Sequence, residues 1–414
     1  MSTPRLYESS HPWITFNTDQ YLDKLDIMTW ARLGESYSKC QHLVGVPLTP
    51  GVADKLSEIY LRRGALASAA IEGNTLNEKQ VEDILVNKHK LPESQQYLEQ
   101  EVRNVWTALH NMELEVSKKF FKGIIDVENF KLTPEWIKNV HSQLLEGLDL
   151  ADHVKPGEYR KVSVVVGNYR GAPAEDIPYL MDKFCSWIDE MREKASAENS
   201  RGQEDRAFIY TFFAAALAHL YFAWIHPFGD GNGRTARLIE CAILAHSGHV
   251  PWISTNVLSD FYNRTRTRYY QKLETASRNL DVPGFIEYSA LGFRDQLRGQ
   301  VAEVQKFQRR VAWVNYVHEQ FQGEPSSDAA RRRREVVLAM PDDAQLAREE
   351  IRHLNPLIAE MYAGASEKLF KRDMGKLIEL GLVQDKGKGK YQTMIWIMDA
   401  FKPQPEFGSH SQTS

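Results

Sequence analysis

Cysteine is scarce: Cys40, Cys185 and Cys241 are the three in 414 residues, far apart, odd in number and without a C-x-x-C pair. That excludes a disulfide framework and a cysteine-built zinc site, and leaves buried or incidental thiols suited to a reducing compartment. A dominant charge is equally lacking. Lys and Arg number 51 against 55 Asp and Glu, a formal net charge of −4, so no wholesale attraction to nucleic acid or membrane is expected. The opening MSTPRLYESSHPWITFN carries no basic stretch followed by an apolar one, which gives a cytoplasmic expectation. Nor is there a G-x-x-x-x-G-K-[ST], an H-E-x-x-H or a G-x-S-x-G string. Those absences exclude the common rival nucleotide, zinc and hydrolase readings.

Long hydrophobic runs are lacking too, with one exception. Phe208–Ile225, FIYTFFAAALAHLYFAWI, has 18 residues without a formal charge, which is at the threshold for a membrane span. It contains Tyr210, Thr211, His219 and Tyr221 and leads straight into a polar loop. A helix apolar all round is equally what the centre of a large helical core requires, so no membrane partner is expected and His219 reads as a hydrogen-bonded core residue.

That polar loop is the most informative stretch of the chain. His226 to Arg237, HPFGDGNGRTAR, gathers an imidazole, a carboxylate, three glycines, an asparagine and two arginines. Gly229, Gly231 and Gly233 let backbone approach a ligand closely and take up positive φ. Successive N–H groups there can form an anion nest, and the following helix aims its positive end at the same point. Asp230 is an oxygen ligand suited to Mg²⁺, which prefers one or two carboxylates plus phosphate oxygens. Arg234 and Arg237, three apart, share a helix face, and their forks suit phosphate. His226 lies just before the nest, where a base could reach a nucleophile attacking phosphorus.

The string resembles the signature of the Fic family, H-x-F-x-[DE]-G-N-G-R-x-x-R, with every specified position met. The resemblance implies an enzyme that moves AMP from ATP to Ser, Thr or Tyr hydroxyls of a protein partner and releases pyrophosphate. In it His226 would be the general base and Asp230 the Mg²⁺ ligand. Gly229, Gly231, Asn232, Gly233 and Arg234 would surround the phosphates, and Arg237 would grip the γ-phosphate. A transfer of phosphate or another nucleotide is the rival on the same fold. Relatives that phosphorylate carry a lysine where this chain has Gly233.

Upstream, Ser68-Ala-Ala-Ile-Glu72-Gly73-Asn74 fits [ST]-x-x-x-E-[GN], which resembles the inhibitory helix of the same family. Residues 56–72 are good helix formers, with Gly73 and Asn74 as apt stop residues. Ser68 and Glu72, four apart, share a face. The resemblance implies that Glu72 pairs with Arg237 and keeps it from the γ-phosphate, an autoinhibition in cis. Removal of AMP, with Glu72 orienting a water, is a second activity the sequence leaves open.

The rest of the chain reads as mainly α. Segments 21–33, 50–72 and 78–87 look helical, as does 133–145, with Thr133 as N-cap and Pro134 in the first turn. Alternating Val162, Val164 and Val166 before Gly167-Asn168 predict a β-hairpin. By resemblance this is the flap that pairs with a target's backbone, with Val166, Gly167, Asn168 and Tyr169 at its tip. Residues 263–278 read as one helix, in which Tyr270 resembles an adenine-contacting tyrosine. Ser277, where relatives often have Asn, departs from that pattern.

A polar stretch at 322–335, including the run Arg331–Arg334, precedes helices at 342–354 and 366–380. A basic turn and strand follow at 386–398. This order resembles a winged helix, which binds DNA or serves protein contacts; the latter is favoured, and the arginine run reads as a solvated helix start. The organisation expected is an N-terminal helical region at 1–110, a Fic-type core at 111–300 and a winged-helix-like domain at 301–414. A DNA-binding regulator is the non-enzymatic alternative. Self-modification and a homodimer are compatible with all of this.

Overall fold

The exceptional apolar run lies at the centre of its own compact unit, residues 1–301. In the computed structural model, which describes residues 4–87, 89–121, 130–167, 169–323 and 327–399, it is part of a helix, Glu204–Ile225, long and apolar enough to cross a membrane. Sixteen of its residues are buried, among them Phe208, Phe212, Phe213, Tyr221 and Phe222. A helix with no polar face must be covered on every side. The helices on either side of it in sequence, Ile177–Ser200 and Asn232–Ala245, pack against it, as does Ile27–Val44.

The chain divides into two compact units, residues 1–301 and 302–414. In the first, the helices are α1 Leu6–Ser10, α2 Asp19–Leu22, α3 Ile27–Val44, α4 Pro50–Ile71, α5 Glu78–Leu85, α6 Gln96–Phe121, α7 Pro134–Leu144, α8 Ile177–Ser200, α9 Glu204–Ile225, α10 Asn232–Ala245, α11 Val257–Arg264 and α12 Arg266–Arg278. The long helix α13, Val282–Gln320, contains the division. Residue 110, expected as a boundary, lies inside α6, so the N-terminal helices and the signature belong to one unit. The only regular strands of this unit, among the described residues, are β1 Val165–Val166 and β2 Tyr169–Arg170, paired antiparallel.

Local chemistry explains where these helices begin. Thr133 accepts a hydrogen bond from Trp136 N–H at 3.1 Å, with Pro134 in the first turn. Asn77 and Gln80 form a capping box at α5. The single helix expected over 21–33 is two, because Asp26 accepts from Thr29 N–H at 2.6 Å and starts α3 afresh. The helix expected over 263–278 is likewise broken, at Thr265. The three cysteines are buried and unbridged.

The second unit follows with α14 Asp328–Ala339, β3 Leu346–Ala347, α15 Arg348–Arg352, α16 Pro356–Met361, α17 Glu367–Glu379, β4 Val383–Asp385 and β5 Lys390–Thr393. The sheet order is β3-β5-β4, all antiparallel. The helix expected over 342–354 is confined to α15, and ahead of it Leu346 and Ala347 pair instead with Tyr391 and Lys390. Trp313, Val337, Met340, Ile358, Leu377 and Ile395 belong to its core.

The arginine run, expected as a solvated helix start, is solvated only in part: Arg331 is exposed, but Arg332 and Arg333 are not. Asp373 of α17, fully buried, accepts from Arg332 Nε at 2.7 Å, Arg333 Nε at 2.9 Å and Tyr362 Oη at 3.2 Å. Two of the four cations therefore face inward, against a carboxylate, and are not presented to a polyanion. Removing one partner of a buried charge group strands the other charges. Asp373→Ala should lower the unfolding free energy of this unit by about 3–5 kcal/mol. Chemical denaturation of the full chain, followed by Trp fluorescence, checks this; a loss below about 1 kcal/mol would contradict the burial argument.

Candidate functional site

The site is built on the end of α9. His226 caps that helix in a left-handed conformation, φ 50° and ψ 61°, which is uncommon for a residue with a side chain. Its backbone N–H closes on Phe222 O, and its Nδ1 lies 3.3 Å from Ala223 O. That contact places the proton on Nδ1 and leaves the Nε2 lone pair for another proton. Burial pushes the imidazole pKa down to about 4. Nearby Arg160 contributes to that lowering, while the Ala223 carbonyl, Glu72 and Asp230 act in the opposite direction. The ring is therefore neutral at physiological pH, the form a general base needs.

From Phe228 to Gly233 the chain turns tightly. Asn232 closes the turn with its side chain, accepting from Phe228 N–H at 3.0 Å and donating to Phe228 O at 2.9 Å. Its amide is thus committed to the loop, so any anion would meet its backbone N–H. His141 supports the turn from α7: Nε2 donates to Asp230 O at 2.9 Å, and Nδ1 accepts from Gly157 N–H at 2.9 Å. Its ring stacks on Phe228 with centroids 3.6 Å apart. Of the three glycines only Gly231 has positive φ, 75°. At Gly229 a Cβ would stand 3.1 Å from Val154, a tight contact, and at Gly233 it would stand 2.2 Å from Glu72 Oε1, so a side chain there would displace that carboxylate.

Helix α10 starts here, and no side chain caps it. Its first N–H groups have no intrahelical partner and carry the positive end of the helix dipole. The carboxylate of Glu72 lies beside Gly233 in this first turn. Glu72 ends α4, and Gly73, at φ 109°, turns the chain away. Glu72 Oε1 accepts from Arg237 Nη2 at 2.7 Å. Ser68, one turn earlier, accepts from Arg237 Nε at its Oγ, 3.0 Å, and from Nη2 at its carbonyl, 2.9 Å. Arg237 is 2% exposed, and its Nη1 is buried without a partner. Burial opposes this charge, but Glu72 together with Tyr269 and Tyr270 outweighs it, so the guanidinium is held above its ordinary pKa.

Arg234 is also buried. It donates to Glu101 Oε1 at 3.2 Å and approaches Asp230 Oδ2 at 3.4 Å. Glu101 in turn accepts from Asn74 at 3.0 Å, joining the signature to the residues just after α4. Asp230 itself is exposed, and its Oδ1 accepts from Gly231 N–H at 2.6 Å. Among the described residues there is no cluster of three or more His, Cys, Asp or Glu. A cation here would rest on this one carboxylate plus the oxygens of a ligand, as Mg²⁺ commonly does.

Glu72, His226, Asn232, Gly233, Arg237 and Tyr270 all line one cavity of about 730 Å³. Tyr270, 42% exposed, donates to Ile71 O at 3.2 Å, whereas Tyr269 is core and hydrogen-bonds to His219 at 2.8 Å. Ser277 faces the same cavity. The hairpin forms a further wall through Val166, Gly167 and Tyr169, and Tyr169 is tied to Trp224 O at 2.8 Å. Asn168 lies outside the described residues. Beside the hairpin stands the N-terminal segment, where His11 Nε2 donates to Arg170 O at 2.9 Å.

Four contributors escape motif reasoning: Arg160, His141, Glu101 and His11. Each has at least one partner more than 60 residues away. The string G-E-Y-R before the hairpin and Thr-Pro before α7 are the only local signals near two of them.

Comparison with known proteins adds three findings. Residues 131–244 match the profile of the Fic/DOC family. The chain is 26% identical over 274 residues to the Protein adenylyltransferase Fic of Aedes aegypti, covering 66% of this chain and 48% of that one. It is 26% identical over 250 residues to the protein of that name from Drosophila melanogaster, covering 57% and 44%. The chain thus spans about half the length of the curated relatives it matches. A Fic family protein from Desulfovibrio desulfuricans G20 superposes with a TM-score of 0.51 at 21% identity, over 91% of this chain and 97% of the other. Fic-1 (aa134 - 508) from C. elegans gives 0.53 at 23%, over 67% and 73%. These two show a shared fold.

The depressed pKa of His226 can be measured without turnover. In an NMR titration its ring signals should stay those of a neutral imidazole down through pH 6 and titrate near pH 4. A midpoint near 6.5 would contradict the burial assigned to it.

Proposed function

Because residues 131–244 form a domain of the Fic/DOC family, we propose that this chain transfers AMP from ATP to a hydroxyl of a protein and that Glu72 restrains the transfer in cis. One observation carries the reading. The Arg237 guanidinium is held by Ser68 and Glu72 at the open end of α10, with Nη1 buried and unpartnered beside Gly233. A buried donor without an acceptor is costly, and a phosphate oxygen is the natural acceptor at a helix N-terminus.

On this reading the backbone of Gly231, Asn232 and Gly233 receives the phosphates, and Arg237 takes the γ-phosphate once Glu72 leaves. His226 Nε2 accepts the proton of a target Ser, Thr or Tyr hydroxyl. The oxygen then bonds to the α-phosphorus as the α–β bridging P–O bond breaks and pyrophosphate departs. Asp230 would hold Mg²⁺, which when bound supplies charge neutralisation at the phosphates. The target would lie along the hairpin, where the exposed edge of β1 offers Val165 for strand addition. Tyr270, beside Leu273 and Ser277 in the cavity, would bound the nucleoside.

The test is incubation with ATP labelled at the α-phosphate in a cell lysate. Glu72→Gly should label proteins, or itself, more strongly than wild type. Adding His226→Ala should lower that rate by about 10²–10⁴-fold, the range for a lost general base. Adding Arg237→Ala or Asp230→Ala should abolish it with the fold retained. A Glu72→Gly chain no more active than wild type on a target both modify would remove the inhibitory role. Full transfer without His226 would remove the proposed base.

A further inference from the structure

We infer that Arg160 is a positioning residue that sets the base His226 and the hairpin as one body, an inference that rests on the AMP-transfer reading above. Arg160 is 3% exposed. Its Nε donates to His226 O at 2.7 Å, and its Nη2 reaches Ile225 O at 3.3 Å. Its backbone N–H donates to Pro227 O at 3.0 Å. Three consecutive carbonyls around the left-handed corner are therefore held by one residue. A left-handed residue with a side chain persists only where its surroundings over-determine it, and these three bonds do so from one side.

The same guanidinium reaches the hairpin from its other end. Nη1 donates to Val162 O at 2.7 Å, ahead of β1, and Nη2 donates to Ala172 O at 2.5 Å, just past β2. Between them, Gly171 N–H closes on Val164 O at 3.1 Å. Gly171 is glycine because a Cβ there would stand 2.9 Å from Arg160 Nη2 and 3.0 Å from the His226 Cβ. The junction therefore has no slack: base, guanidinium and hairpin root are in contact. None of the four side-chain acceptors is a carboxylate, so the charge is solvated by backbone dipoles, and burial holds its pKa below the ordinary value. A planar fork with five donors fits such a set of carbonyls, and a lysine ammonium with three donors fits it only in part. A target laid along the hairpin would thereby be registered against the Nε2 of His226.

The test uses the full chain carrying Glu72→Gly, with labelled ATP as probe and the chain's own hydroxyls as acceptor. Adding Arg160→Gln should slow single-turnover transfer by about 10²-fold, the effect of a misplacement near 1 Å. ATP affinity, read by calorimetry, should stay within about twofold, because the phosphate groups and Arg237 are untouched. Arg160→Lys should recover part of the rate. Gly171→Ala, which crowds the junction without altering Arg160, should show the same split between rate and ATP affinity. In parallel, the His226 ring resonance should shift or broaden in Arg160→Gln at constant pH, a readout that needs no activity. Unchanged transfer in both folded variants, or an unmoved His226 resonance, overturns the inference. So does an equal loss of rate and ATP affinity in both. If Glu72→Gly alone transfers nothing, the AMP-transfer reading fails, and the His226 resonance still decides whether Arg160 positions the ring.

Discussion

The Arg237 guanidinium is buried against a single carboxylate, and the site is arranged around that pair. Arg237 is surrounded by protein, and Glu72 at 2.7 Å is the carboxylate that meets its charge. Removing one partner of such a pair strands the other charge in a poorly solvating interior, which is strongly unfavourable. The pair is therefore stable until another anion takes the place of the carboxylate, and a phosphate with its several acceptor oxygens is chemically suited to do so. The location of Glu72 follows from the same constraint. It sits at the C-terminal end of α4, one turn after Ser68, so a single helix end delivers a hydroxyl, a carbonyl and a carboxylate to one guanidinium.

The remaining geometry supplies rigidity. Helix α9 is apolar on every side and encased, so its end is fixed in space, and the left-handed turn at His226 directs the chain into the glycine loop. The loop is held from within by Asn232 and from outside by His141 and Arg160. A site resting on packed helices and second-layer hydrogen bonds keeps its groups in place more closely than one on free loops. Burial has a chemical consequence as well: it keeps His226 neutral, with the lone pair on the nitrogen that the Ala223 carbonyl leaves free.

What could be read from the sequence was whatever lies close together along the chain. The His226–Arg237 string and the Ser68–Glu72 spacing each occupy a few turns, so order and spacing alone pointed to phosphate chemistry and to a partner for Arg237. The helical class, the hairpin at Val165–Arg170 and the cap at Thr133 were likewise local. What escaped was long-range or backbone-directed. Arg160 binds only carbonyls, which no residue pattern announces, and His141 and Glu101 find their partners 89 and 133 residues away. Gly229 and Gly233 were assigned positive φ, which neither has; what crowds them is distant in sequence, Val154 and Glu72. The arginine run before α17 looked solvated because its carboxylate, Asp373, lies about 40 residues downstream.

The central claim is that Glu72 stands where a γ-phosphate would bind Arg237. Calorimetric affinities for ATP and ADP, compared between wild type and Glu72→Gly, test it without requiring a target protein. Wild type should bind the two nucleotides about equally, since its γ-phosphate ligand is already taken. In Glu72→Gly, ATP should gain over ADP by about tenfold to a hundredfold, the worth of a charge-assisted hydrogen bond of about 1.5–3 kcal/mol. The same ATP-to-ADP ratio in both proteins would contradict the account.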